Sequence, residues 1–98
     1  MSKAQIKAET KFLLHPDAVH RKLQGEEVLL QMQTGRYFGL DEIGTKAWDA
    51  LVIQQLSLGQ CARQLAEEFA VDEKTVQNDI SHLVSDLLEQ GLLEAVKA

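Results

Sequence analysis

The feature that most constrains this fold is a change of hydrophobic period at Leu40. Before it, apolar residues alternate with polar ones, and after it they recur every three or four positions. Alternation requires strands, whereas the longer period requires helices that bury one stripe. From Ala18 to Gln33 the chain reads as two strands: Val19, Arg21 and Leu23 alternate with His20 and Lys22, then Val28, Leu30 and Met32 alternate with Leu29 and Gln31. Gln24-Gly25 supplies the turn between them. A second turn at Thr34-Gly35 leads into a short third strand, Arg36-Tyr37-Phe38-Gly39-Leu40, with Phe38 and Leu40 on one face and Tyr37 on the other. The expected sheet is a three-stranded antiparallel β-meander.

The helical half begins at Asp41, whose carboxylate can accept from the free N–H groups of a helix over about Glu42 to Ile53. Ile43, Ala47, Ala50 and Leu51 give that helix an apolar face, with Trp48 beside it as a core filler. Ser57 and Gln60 fit a capping box for a second helix, in which Leu58, Cys61, Ala62, Leu65, Ala66 and Phe69 form a clean stripe. Asp72 caps a third helix running to about Gln90, where Gly91 stops it and Leu92-Leu93 fold back. The fold class is α+β, a meander followed by three α-helices. Residues 12–98 form one domain after a loose arm at 1–11, with Phe12-Leu13-Leu14 able to tie the arm's end to the core.

A chain of 98 residues supports one modest core rather than a deep water-excluding active site. Its net charge of -5 comes from scattered acids, which disfavour contact with phosphate backbones. The N-terminus lacks a secretory apolar region and no apolar run approaches a membrane span, so a cytoplasmic protein without a membrane partner is expected. Cys61, the lone cysteine, falls on the second helix's apolar stripe and reads as a small buried hydrophobe.

Catalysis needs convergent groups, and none can be assembled. His15, His20 and His82 fall in a turn, a strand and a helix flank, without the ligand spacing of a metal site. Phosphate-loop, dinucleotide and nucleophile-elbow motifs are absent, so neither enzymatic activity nor a cofactor is expected. The helix pair from Ser57 to Gln90 resembles a helix-turn-helix. Its last helix, however, carries Glu73, Asp79, Asp86 and Glu89 against Lys74, the reverse of what nucleic acid requires.

What remains is binding through backbone. In a meander the outer strands carry unpaired N–H and C=O groups, and the third strand is guarded by no proline and one charge, Arg36. The last helix offers Val76, Ile80, Leu83, Val84, Leu87 and Leu88 over about 140° of its surface, wider than a minimal core stripe. An extended peptide can add to the strand and lay side chains against that helix. A scaffold or dimerisation module is the alternative of another class.

Two stretches, Gly35 to Leu51 (GRYFGLDEIGTKAWDAL) and Val76 to Leu93 (VQNDISHLVSDLLEQGLL), together with the helix ending at Phe69 between them, resemble the PqqD-like proteins over roughly residues 18–94. The resemblance implies a winged-helix-like recognition element that is not an enzyme and binds the leader segment of a ribosomally made precursor peptide as an added strand. Carried over by position, it implies pairing along Arg36, Tyr37, Phe38, Gly39 and Leu40, with Val76, Asp79, Ile80 and Leu83 as the helical wall. Asp79 either pairs with a basic leader residue or serves only its own helix. The resemblance further implies an enzyme partner, a leader peptidase in a lasso-peptide pathway or, as the alternative, a radical SAM enzyme in pyrroloquinoline quinone synthesis.

Overall fold

In the computed structural model, which describes residues 6–96, Gln24 and Gly25 sit at φ +52° and +84°. Positive φ at both central residues is the geometry of a two-residue hairpin whose twist matches that of its strands. The turn fixes the register of β2 (Ala18–Leu23) against β3 (Glu26–Gln31), with Leu23 opposite Glu26. Strand β4 (Arg36–Gly39) follows a turn at Gly35, φ +75°, and pairs antiparallel with β3, giving the expected three-stranded sheet in the order β2-β3-β4.

The hairpin register decides which row of β3 faces inward, and it is the more polar one. Glu27, Leu29 and Gln31 are buried, whereas Val28 and Leu30 are half-buried on the outer face. Burial of two polar side chains is tolerable because each has partners. Glu27 accepts from His20 Nδ1 at 2.8 Å, and the Nε2 of Gln31 donates to the carbonyl of Gly91 at 3.0 Å.

Three helices cover the inner face. Asp41 accepts from Gly44 N–H at 2.8 Å and starts α1 (Glu42–Trp48), which runs on into a π-helical segment, Asp49–Ile53. Ile43, expected on the apolar face of α1, instead points outward and is 48% exposed, because the side packed on the sheet is Gly44, Thr45, Ala47 and Trp48. The capping box of Ser57 and Gln60 opens α2 (Leu58–Phe69), and Asp72 opens α3 (Glu73–Glu89) by accepting from Thr75 N–H. Helix α3 stops at Gly91, φ +74°, where an added Cβ would lie 2.9 Å from Gln31 Nε2. Left-handed backbone and close approach both require glycine there.

After that stop the chain forms β5 (Leu93–Ala95), which pairs antiparallel with β1 (Phe12–Leu14) in a separate two-stranded sheet absent from the sequence-based expectation. This clasp buries Phe12, Leu92 and Leu93 completely or nearly so beside Trp48, Leu51, Leu58, Ile80 and Val84. Each such aliphatic side chain contributes roughly 1.5–3 kcal/mol. Of the expected N-terminal arm, residues 1–5 lie outside the described residues. Ala8 and Thr10 accept from the N–H groups of Gly59 and Leu58 at 2.7 and 2.9 Å, satisfying donors that the start of α2 leaves free. Among the described residues no helix is long and apolar enough to cross a membrane.

Candidate functional site

Strand β4 is an edge, and its ladder shows which of its groups are free. Leu40 N–H donates to Glu27 C=O at 2.9 Å, so Leu40 belongs to a hydrogen-bonded pair. Antiparallel pairs alternate, and the register places Phe38 opposite Leu29 and Arg36 opposite Gln31 as the next two bonded pairs. The backbone groups of Tyr37 and Gly39 therefore point away from β3. Three of the five residues expected to pair with a peptide, Arg36, Phe38 and Leu40, are thus turned into the sheet, and the two with outward backbone groups are Tyr37 and Gly39.

Beside this edge lies an open cavity of about 450 Å³ lined by Gly39, Leu40, Asp41, Ile43, Gly44, Ala47, Asp79, Ile80 and Leu83. It brings together five of the nine residues expected from sequence, namely Gly39, Leu40, Asp79, Ile80 and Leu83. Four others were not foreseen. Asp41, Ile43, Gly44 and Ala47 come from the first turns of α1, which forms the closed end of the groove. The one sequence signal available for them was the place of Ile43 at the margin of the α1 stripe, since a large apolar residue at the edge of a helix stripe is where a stripe meets a groove.

The remaining expected residues are placed differently. Val76 is buried in the core and lines no part of the cavity. Phe38 is half-buried on the inner face, while Tyr37 is 71% exposed on the outer face. There it lines a second cavity of about 410 Å³ with Val19, Leu23, Val28 and Leu30. Arg36, at the start of β4, lines no part of the cavity and donates to Gln90 Oε1 at 3.2 Å.

The closed end is held by polar groups buried under it. Glu27 N–H donates to Thr45 Oγ1 at 2.9 Å, and that hydroxyl donates to Leu40 C=O at 3.3 Å. A hydroxyl is thereby inserted where a ladder bond between Glu27 and Leu40 would otherwise close. The opposite bond of the same pair, from Leu40 N–H to Glu27 C=O, is kept at 2.9 Å, and Leu40 and Asp41 line the cavity at this end of β4. Nothing in the site resembles a catalytic constellation: His15 accepts from Asp17 N–H, His20 on β2, the edge strand opposite β4, bonds the Glu27 carboxylate, and His82 is exposed on α3. Among the described residues no cluster of His, Cys, Asp and Glu is arranged to hold a metal ion.

The model of the family described as coenzyme PQQ synthesis protein D matches residues 26–93, more than half of the chain and all of the groove. The chain belongs to the PqqD family. Solved structures of similar fold include TbiB1 in complex with the TbiA(beta) leader peptide, at 30% identity and a TM-score of 0.78 over 87% of this chain and 98% of that one. A lasso peptide synthetase B1 complexed with its leader peptide matches at 26% identity and a TM-score of 0.78, over 86% and 98% of the two chains. The PqqD truncation of Methylobacterium extorquens PqqCD, a stand-alone recognition element of ribosomally synthesised and modified peptides, shares the fold at 20% identity and a TM-score of 0.67, covering 92% and 95%. No curated protein gives a significant match. As a PqqD family member the chain has the α+β architecture of these relatives, a three-stranded antiparallel sheet with three helices.

Proposed function

We propose that this PqqD-family protein binds the leader segment of a ribosomally made precursor peptide, as a strand added to β4 beside α3, and delivers it to a modifying enzyme without itself catalysing a reaction. The observation that carries the reading is the pairing of an unguarded strand edge with an apolar groove: Tyr37 and Gly39 offer outward backbone groups alongside Leu40, Ile80 and Leu83. Strand addition draws affinity from the backbone and specificity from the pockets beside it. The leader complexes of TbiB1 and of the lasso peptide synthetase B1, chains covered to 98% by this one, favour a lasso-peptide pathway with a leader peptidase as partner. The description of the matching family favours the other route, in which a radical SAM enzyme of quinone-cofactor synthesis receives the peptide.

Calorimetric titration of the full chain with a synthetic leader, taken from a short precursor gene beside its own, tests the reading. One-to-one binding is expected, with loss in Leu83→Asp and in Tyr37→Pro, which removes an outward N–H but no internal ladder bond. Binding indifferent to both substitutions would show that the peptide sits elsewhere. The adjacent enzyme genes, a peptidase with an asparagine-synthetase-like cyclase or a radical SAM enzyme, separate the two routes.

A further inference from the structure

The groove is uneven along its length, and its closed end has a chemistry of its own. Gly44 and Ala47 contribute almost no side-chain bulk to the cavity, Leu40, Ile43, Ile80 and Leu83 make it apolar, and Asp41 and Asp79 stand among them as its two charged members. Asp41 is held by Gly44 N–H on Oδ1, which leaves Oδ2 available to a ligand. Asp79 is exposed and makes no ion pair among the described residues. Lys46, the lysine of α1, is engaged elsewhere, 3.0 Å from Glu68 on α2. Two carboxylates at an apolar cavity with no internal cation match a side chain with a long apolar shaft and a positive tip.

The ladder says where such a side chain belongs. A strand added antiparallel to β4, the direction of every other pair in the sheet, bonds to Tyr37 and Gly39. Its residues opposite those two turn their side chains to the outer face, and its residues opposite Leu40 and Phe38 turn theirs into the groove. In an antiparallel strand the residue opposite Leu40 precedes the one opposite Phe38 by two positions. We infer that the closed end of the groove selects a lysine or arginine in the bound peptide, two residues ahead of an apolar residue that packs on Phe38 and Leu83. The inference rests on strand addition at β4 and names what that strand must carry.

The test uses a phage-displayed library of random dodecapeptides selected on the immobilised full chain, followed by fluorescence anisotropy with individual selected peptides. Selected peptides are expected to share Lys or Arg at the first position and an apolar residue at the third of a common core. Replacing that basic residue by norleucine is expected to weaken binding about threefold to tenfold on the native chain and to have little effect on Asp79→Asn. Peptides that need Leu83 but show no basic preference, or that carry the basic residue two positions after the apolar one, overturn the inference and leave the groove reading intact. A selection that yields no binders, or binders indifferent to Leu83→Asp, overturns strand addition itself.

Discussion

Thr45 carries a sharper stability prediction than any other residue at the groove. Its hydroxyl accepts from Glu27 N–H at 2.9 Å and donates to Leu40 C=O at 3.3 Å, and the residue is 5% exposed. Thr45→Val keeps the shape and removes both bonds, leaving a backbone donor and a carbonyl without their partner. Losing two such bonds at a buried site costs about 3 kcal/mol. The more apolar valine offsets on the order of 1 kcal/mol, so the net loss is about 2 kcal/mol. For a domain of this size that lowers the melting temperature by about 8–16 °C. Thr45→Ser retains the hydroxyl and loses a buried methyl group, at about 1 kcal/mol.

The expected order of stability in urea denaturation is therefore threonine, then serine, then valine. Hydrogen exchange at the Glu27 amide should accelerate in the valine variant beyond what its global destabilisation explains. The alternative physical outcome is that β3 and β4 close on each other, so that Glu27 N–H reaches Leu40 C=O directly. Valine as stable as serine, with a slowly exchanging Glu27 amide, would refute the idea that the hydroxyl wedge is needed. Because the Thr45 hydroxyl is bonded to Leu40 C=O and Leu40 lines the cavity, a variant in which the strands close should also change peptide affinity.

Three further outcomes can be checked. Phe38→Pro removes a bond to Leu29 within the sheet and should unfold the chain or lower its midpoint strongly, whereas Tyr37→Pro should keep a native circular-dichroism spectrum; equal effects would mean that the ladder phase is misassigned. Gly91→Ala should cost more than Gly25→Ala in urea titrations: both sit at positive φ, worth roughly 1–2 kcal/mol for a side chain, but only at Gly91 does the new Cβ meet a neighbour, Gln31 Nε2 at 2.9 Å. Burial pushes the Cys61 thiol up from 9.0 to about 12. The folded chain then keeps a proton that the unfolded chain releases above about pH 9, so this contribution to stability is complete below pH 9 and declines as pH rises toward 12. At pH 8 a disulfide reagent should label Cys61 only as fast as the protein opens, and immediate labelling would contradict the burial.

The helices were legible because each carries its own start signal and stripe: Asp41, Ser57 and Asp72 cap where they were expected to, and Gly91 ends α3. The two hairpin turns were legible from Gln24-Gly25 and Thr34-Gly35. The β1–β5 clasp was not, because three residues are too few to show a period and Phe12 meets Ala95 from the opposite end of the chain. Nor was the facing of β3, since alternation marks two faces without naming the buried one. Composition points to Val28 and Leu30, but His20, Thr45 and Gly91 make the row of Glu27, Leu29 and Gln31 the one that can be buried. At the site, β4 and the α3 wall were readable from position, while the contribution of α1 depends on a tertiary contact, the Thr45 hydroxyl bonding Glu27 N–H and Leu40 C=O, that no local pattern reveals.

The two edges of the sheet are treated differently, and the difference bears on which one binds. On β2 the residues with outward backbone groups, His20 and Lys22, flank Arg21, and Lys22 is drawn to Asp49 at 2.9 Å, a hydrogen bond that holds its pKa above the ordinary lysine value. Charged residues along an edge oppose pairing with another strand, because a partner must desolvate or displace them. On β4 the corresponding positions are Tyr37 and Gly39, and the one charge of the strand, Arg36, is turned aside to Gln90. A protein that only needed to avoid aggregation would guard both. Placing a lysine on β4 is therefore an informative perturbation: Gly39→Lys leaves the internal ladder untouched, adds a side chain where no atom lies within 4 Å, and puts it on the outer face rather than in the groove. Its stability should stay close to native. A peptide held by backbone pairing must still lie along that edge, so its affinity should fall; a peptide held by the groove side chains alone should bind as before.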